Sequence, residues 1–420
     1  MTEKLLQYIW QFQYFNRTQL QTTTNEPLQI LYPGQLNTNQ GPDFLNARIK
    51  VNDTVLVGSI ELHIKAADWH RHQHQADRNY SNVILHVVYD NNIPAISSIP
   101  TLELSSRISN LLLERYAALM TAPSFISCAT GITSIRDITF TSWKERLLAE
   151  RLTRKAKLIL QYLEATNQHW EECFWWLLAK SFGGKVNGEA FEAVARSLPV
   201  TLLAKHKNQI HQLEALLFGQ AGLLSAHHTE AYPQMLYKEY QFLSKKYNLK
   251  CVHQPIHFMR MRPGSFPTIR LAQLAMLVHH SSHLFSKILE AKDSKEVWQY
   301  LKVTANDYWH YHYRFDEEKS YQPKRMGEDT IDTIIINTII PTLFAYGLYN
   351  KQEPYKLKAL QWLENTKAEE NAITKGFKSL SVDNHSAFDS QALIELKNEY
   401  CNNKRCLECS VGSQLLKQSN

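Results

Sequence analysis

Apolar and polar positions alternate with a period near two through much of residues 28–104. The runs LQILYPG, FLNARIKV, TVLVGSIELHI and NVILHVVYD are rich in β-branched and aromatic residues, and the pattern predicts a sheet. Asn52-Asp53 falls between two of these runs and predicts a tight hairpin whose second strand is long. Ahead of the sheet, MTEKLLQYIWQFQYF has the spacing of an amphipathic helix rather than of a secretion signal. ISNLLLERYAALM (108–120) has helical periodicity and is expected to pack on the sheet. The polar stretch between His70 and Asn82 reads as a loop or a short helix.

From residue 141 the period changes to that of helix after helix. Thr141-Ser142 offers an N-cap with Glu145 three positions beyond Ser142, a capping box, and the helix runs through KERLLAERLTRKAKLILQYLEA. Asn187 is expected to cap a shorter helix through EAFEAVARSL, and further helices are expected near 208–218, 231–247, 268–291, 329–349, 355–366 and 388–400. No fixed period recurs, so a solenoid is not supported. The organisation predicted is an α+β domain over residues 1–130, with a mixed sheet flanked by helices. A large all-α domain follows over 131–400, then a cysteine-bearing tail over 401–420.

Composition narrows the class. A length of 420 residues and 44% hydrophobic content suit two or three packed domains. No uninterrupted apolar run reaches the length of a membrane span. Six cysteines in such a length are not a secreted disulfide framework, and a reducing cytoplasm is the expected compartment. The net charge of +6 is unevenly placed: residues 131–280 hold 19 Lys and Arg against 11 Asp and Glu, while the flanking thirds are balanced. A basic middle third can attract polyanions, and it can equally be a solvated surface.

The chemistry-bearing residues lie in GPDFLNARIKVNDTVLVGSIELHIKAADWHRH. Strand alternation puts Glu61, His63 and Lys65 on one face and Leu62 and Ile64 on the other. Asp43 and Glu61, from neighbouring strands, could hold a hard divalent ion together with a backbone carbonyl near Leu62. A cation beside them, Lys65 or protonated His63, could position water or stabilise developing charge.

Pro42-Asp43 followed by Glu61-Leu62-His63 resembles the PD-(D/E)XK nuclease superfamily. The resemblance implies a restriction-endonuclease-like fold. There the Asp opens one strand of a central mixed sheet, the acid-x-Lys motif follows across a hairpin, and helices flank both faces. It implies that Asp43 and Glu61 bind Mg²⁺ or Mn²⁺, with His63 standing where the superfamily has lysine and Lys65 two positions later. Nearly end to end, the chain also resembles a bacterial family catalogued as domain of unknown function 2851. That resemblance rests on GPDFLNARI, GSIELHIKAADWHRH, VILHVVYDN, RPGSFPTIRLAQLA and YCNNKRCLECSVG, and implies a cytoplasmic bacterial protein without bringing an activity. The function expected is a metal-dependent nucleic-acid phosphodiesterase, a nuclease with a helical substrate-binding domain. Two alternatives stay open: a non-catalytic nucleic-acid-binding or scaffold protein on the same fold, and a zinc hydrolase built on the histidines from His63 to His86.

Those histidines are dense. His63, His70, His72, His74 and His86 lie within 24 residues, together with Asp77 and Tyr80. Neutral imidazole is a common zinc ligand, and the same groups could contact phosphate or transfer protons around the carboxylates. His70, His72 and His74 share a face only if their segment is extended; a polar loop is the plainer reading. His86, inside VILHVV, reads as a hydrogen-bonded core histidine. Elsewhere, Lys144, Arg151 and Lys155 line one helix face with Arg154 alongside, a row that could track phosphates or merely be solvated. Arg260, Arg262 and Arg270 surround a Pro-Gly-Ser-Phe-Pro turn before a helix expected near Thr268, an arrangement that suits an anion or internal acids. Cys401, Cys406 and Cys409 form C-x4-C-x2-C. Zinc or an iron–sulfur cluster there would need a fourth ligand, from Cys128, Cys173, Cys251 or a histidine.

Overall fold

The structure, a computed structural model, describes residues 1–93, 99–259, 261–281 and 283–417. The chain forms two compact units, one of Met1–Trp143 with Lys397–Asn420, the other of Lys144–Leu396. The units change over after Trp143 and after Leu396, whereas the expected boundaries were 130 and 400. The cysteine-bearing segment is no separate tail, because Cys406 and Leu416 enter the core of the first unit.

The first unit opens with helix α1 (Glu3–Phe12), capped by the Thr2 side chain. Six strands follow: β1 (Leu28–Tyr32), β2 (Gln35–Leu36), β3 (Phe44–Val51), β4 (Thr54–Lys65), β5 (Val83–Asp90) and β6 (Thr101–Glu103). They form one mixed sheet in the order β1-β3-β4-β5-β6, with β2 beside β3, and the sheet curls into a half-barrel. β3 and β4 are antiparallel and turn at Asn52-Asp53, with Val51 opposite Thr54, as the sequence predicts. Asn52 takes the left-handed conformation such a tight turn needs. β4, β5 and β6 run parallel, so residues 66–82 form a crossover. That crossover holds only the short helix α2 (Asp68–Arg71) and two 3₁₀ turns. Helix α3 (Asn110–Thr121) follows β6.

Alternation along β4 sends Ile60 and Leu62 into a core shared with Leu5, Leu6, Ile9 and Trp10 of α1. The opposite face of β4 is buried too. Glu61 and His63 are 6% and 1% exposed, because the crossover folds back over them. A strand covered on both faces explains why this polar run does not meet solvent.

The second unit is helical, and 56% of the whole chain is helix. Its helices include Asp137–Ala165, which begins just before the unit boundary, Trp170–Ser197, Ile210–Gln220, Ala231–Tyr247, Pro267–His280, Glu353–Asn365 and Ala387–Glu395. The first starts four residues before the expected Thr141 cap. The second is kinked at Gly184, whose φ is 61°. Glu328–Tyr349 is a single 22-residue span, passing through a π-helical turn at Ile335–Ile339. It is long and apolar enough to cross a membrane, yet 67% of its apolar window is buried, the pattern of a core helix.

Candidate functional site

Because β3 and β4 are antiparallel, the start of one lies beside the end of the other, with Phe44 opposite Ile60. This brings Asp43 to Glu61. The Asp43 N–H donates to Glu61 Oε2 at 3.1 Å. The Leu62 N–H donates to Asp43 Oδ2 at 3.0 Å, and Gln7 of α1 donates its side-chain amide to Asp43 Oδ1 at 2.8 Å. Each acid is thus held by backbone at or next to the other. Burial pushes Asp43 up to about 6. It pushes Glu61 up to about 8, with the Asp43 carboxylate adding to the rise. At neutral pH the pair keeps a proton, held mainly by Glu61.

Imidazoles surround the outer oxygen of Glu61. Its Oε1 lies 3.4 Å from His74 Nε2 and 3.6 Å from His63 Nε2. His63, His72 and His74 each present a ligand atom within 4.8 Å of the others. They converge because Gln73 adopts a left-handed conformation (φ 59°, ψ 30°), reversing the chain between His72 and His74. His63 Nε2 is 3.2 Å from His72 Nδ1, and on its other side His63 Nδ1 is 2.8 Å from His86 Nε2. Trp69 covers the group, meeting His74 and His86 at centroid distances of 5.4 and 5.3 Å.

Burial, reinforced by the neighbouring imidazoles, depresses His63 to about 3 and His86 to about 4, and lowers His74 as well. These rings are neutral at physiological pH and their lone pairs are available. His74 Nε2 and His86 Nδ1 are buried without a hydrogen-bond partner. Three imidazoles and a carboxylate, one of the imidazoles with an unbonded buried nitrogen aimed at the acid, fit a divalent transition-metal ion. They fit Mg²⁺ less well, since it prefers oxygen ligands. His63, His72, His74 and Glu61 would hold such an ion. His86 would fix the tautomer of His63 from behind.

Other expected site residues are placed differently. Lys65 stands exposed at the end of β4, and its backbone N–H bonds Asp68 Oδ2 at 3.3 Å. Imidazoles, not a lysine, occupy the place beside the acids. His70 is exposed and outside the triangle. Asp77 caps a 3₁₀ turn by accepting the Asn79 N–H at 2.9 Å. Tyr80 stacks on His74 at 3.8 Å between centroids, and burial with the nearby acids raises its phenol to about 12.

Each member of the basic row of the second unit is paired within that unit, Arg151 buried and Arg154 exposed. Lys144 pairs with Asp389 at 2.6 Å, and Arg151 reaches Gln391 at 2.6 Å and Glu395 at 3.1 Å. Arg154 meets the same Glu395 at 2.5 Å. Lys155 donates to Asn337 at 3.0 Å, and burial brings its pKa down to about 7. Arg270 bonds Gln273 and Thr330 at 3.2 and 3.0 Å. Arg262 is exposed before a 3₁₀ turn, and Arg260 lies outside the described residues. Cys401, Cys406 and Cys409 are free thiols in the returning segment of the first unit.

Sequence reasoning passed over Gln7 and Gln73. Gln7 sits between Leu6 and Tyr8 on a helix whose neighbours are buried, and a polar residue at such a place was the available signal. Gln73 left no signal, because a left-handed glutamine follows from the surrounding packing rather than from its own preference.

No curated protein and no solved structure matches the chain. The model of one family, described as protein of unknown function (DUF2851), matches residues 3–372. The chain belongs to that family.

Proposed function

We propose that the first unit is a metal-dependent phosphodiesterase acting on nucleic acid, on a restriction-endonuclease-like sheet. The observation that carries this reading is the meeting of Asp43 and Glu61 from adjacent antiparallel strands, backed by the His63–His72–His74 triangle. The Pro42-Asp43 and Glu61-Leu62-His63 pattern supports the superfamily assignment, and so do a mixed sheet and a hairpin between the two acids. The donor set favours Mn²⁺ or Zn²⁺ over Mg²⁺.

When bound, the ion supplies Lewis acidity toward a phosphoryl oxygen and lowers the pKa of a coordinated water. The chain's own residues do the rest. Glu61 would give up its proton to become a ligand. His63 stays neutral, its ring oriented by His86. Asp43, fixed by Gln7 and the Leu62 amide, contributes a second negative charge at the rim. Tyr80, protonated at all relevant pH, braces His74 by stacking.

The test is direct. Purified protein is incubated with single- and double-stranded DNA and RNA in Mn²⁺, Zn²⁺ or Mg²⁺, beside Glu61→Gln. Cleavage with Mn²⁺ or Zn²⁺, reduced at least 100-fold by Glu61→Gln in a protein that still folds, is the expected result. Salt-dependent binding without turnover in any metal would favour the non-catalytic reading. Hydrolysis of simple esters or peptides with tightly held zinc, and none of nucleic acid, would favour a zinc hydrolase.

A further inference from the structure

A second group of ligand-type side chains lies in the first unit, remote in sequence from the histidines. Cys401, Cys406 and Cys409 follow one another in the returning segment. A fourth thiol, Cys128, comes from the stretch between α3 and the helix Asp137–Ala165. Two contacts from that stretch, at Phe125 and Gly131, and one from Trp143 in the helix that follows tie this part of the chain to the returning segment. The Phe125 ring lies 4.8 Å from Lys397 Nζ. Trp143 meets Tyr400 edge-on at 5.1 Å between centroids. Gly131 packs so closely on the helix Ser410–Lys417 that a Cβ there would come within 2.8 Å of Leu415.

Cys128 packs against the same core that buries Cys406. Cys406 and Cys409 are 8% and 6% exposed, and no disulfide accounts for any of the four. Their electrostatics agree with this proximity. Burial pushes Cys128 up to about 12, with Cys409 and Cys406 adding to the rise. Cys401 is raised by burial and then by Cys409, Cys128 and Cys406. Cys409 is raised to about 11 by burial, against the opposing pull of the Gly412 and Val411 amides that open the last helix. Two buried thiols and two half-buried ones gathered at one core would repel one another as thiolates, unless a cationic centre sat among them.

We propose that Cys128, Cys401, Cys406 and Cys409 hold an iron–sulfur cluster through four thiolates. A single tetrahedral zinc at about 2.3 Å from each sulfur would draw the four sulfurs within about 4 Å of one another. Among the described residues, the set of three ligand atoms gathered within 4.8 Å is that of the histidines, so the thiols are spread more widely than one ion requires. A cluster interposes its own irons and sulfides between the thiolates and suits the wider set. Loading takes two ferrous ions, two ferric ions and four inorganic sulfides and releases one proton from each of the four thiols, so no electron is gained or lost. The amides of Val411 and Gly412, at a helix N-terminus, favour the negative charge on Cys409.

The experiment uses the full-length protein, expressed with added iron and purified without oxygen. Iron, acid-labile sulfide and zinc are then measured, and the visible absorption recorded. Iron and sulfide in equal amounts with a broad visible band are expected. Both should fall several-fold in Cys128→Ala and persist in Cys251→Ala, an exposed cysteine of the second unit. Should Cys128→Ala fail to fold, the wild-type measurement decides alone. Absence of iron and sulfide after anaerobic reconstitution with ferrous iron, ferric iron and sulfide overturns the proposal, as does one zinc per chain in their place. Full iron and sulfide in folded Cys128→Ala overturns the four-thiolate set.

Discussion

At the scale of single residues, the Asp43–Glu61 pair makes the metal-free protein sensitive to pH in a defined direction. Glu61 is raised from 4.5 to about 8, so the folded state holds a proton that the unfolded chain has lost. Between those values stability falls as pH rises. His63 works the other way. Its pKa is lowered from 6.5 to about 3, so its contribution is present above the unfolded value and lost as pH falls through that window. Denaturant midpoints of metal-free protein should therefore drop on both sides of a mildly acidic optimum, and Glu61→Gln should flatten the alkaline side and move the optimum to higher pH. Ion binding must displace the Glu61 proton. Calorimetry in buffers of different ionisation enthalpy should show release approaching one proton near neutral pH, with affinity rising between about pH 6 and about pH 9. Tight binding with no proton release would place the ion elsewhere.

At the scale of elements, the site depends on one reversed residue. Gln73 turns the chain so that His72 and His74 meet His63. Glycine adopts that conformation freely, whereas a β-branched side chain does not. Gln73→Gly should be close to neutral in stability, and Gln73→Val should cost about 1–2 kcal/mol and weaken metal binding about tenfold or more. Equal affinities in the two variants would remove the role assigned to this turn. Much of this level was legible in the chain. The hairpin at Asn52-Asp53, the pairing of Asp43 with Glu61 and most helices follow from period and turn chemistry. The crossover was not, because residues 66–82 have no period and their arrangement is set by what they cover. The row of Lys144, Arg151, Arg154 and Lys155 was open to two readings for a related reason: spacing shows that residues share a helix face, never which neighbour that face meets. Here acids and amides on other helices of the second unit take it.

At the scale of the molecule, the first unit is discontinuous. Its N-terminal part relies on residues from Lys397 onward: Tyr8 bonds Ser413 at 2.9 Å, Lys404 bonds the Met120 carbonyl, and Leu416 joins the core near Leu119. Truncation after Leu396 should leave the helical unit cooperative while the first unit loses its own unfolding transition, read by calorimetry and limited proteolysis. Two undisturbed transitions in the truncated chain would show that the returning segment is dispensable.

β4 carries a further consequence. It pairs with β3 on one edge and β5 on the other, and the site draws on both strands and on the loop joining β4 to β5. No one of these pieces can grip an ion alone. Capture of the proposed ion would wait for the parallel pairing that sets His86 behind His63, the slower kind to form because it closes a longer loop. Occupancy would then act as a clock on sheet completion: a nascent chain paused before residue 83 offers scattered imidazoles, and the ion secures only a barrel half that has already closed.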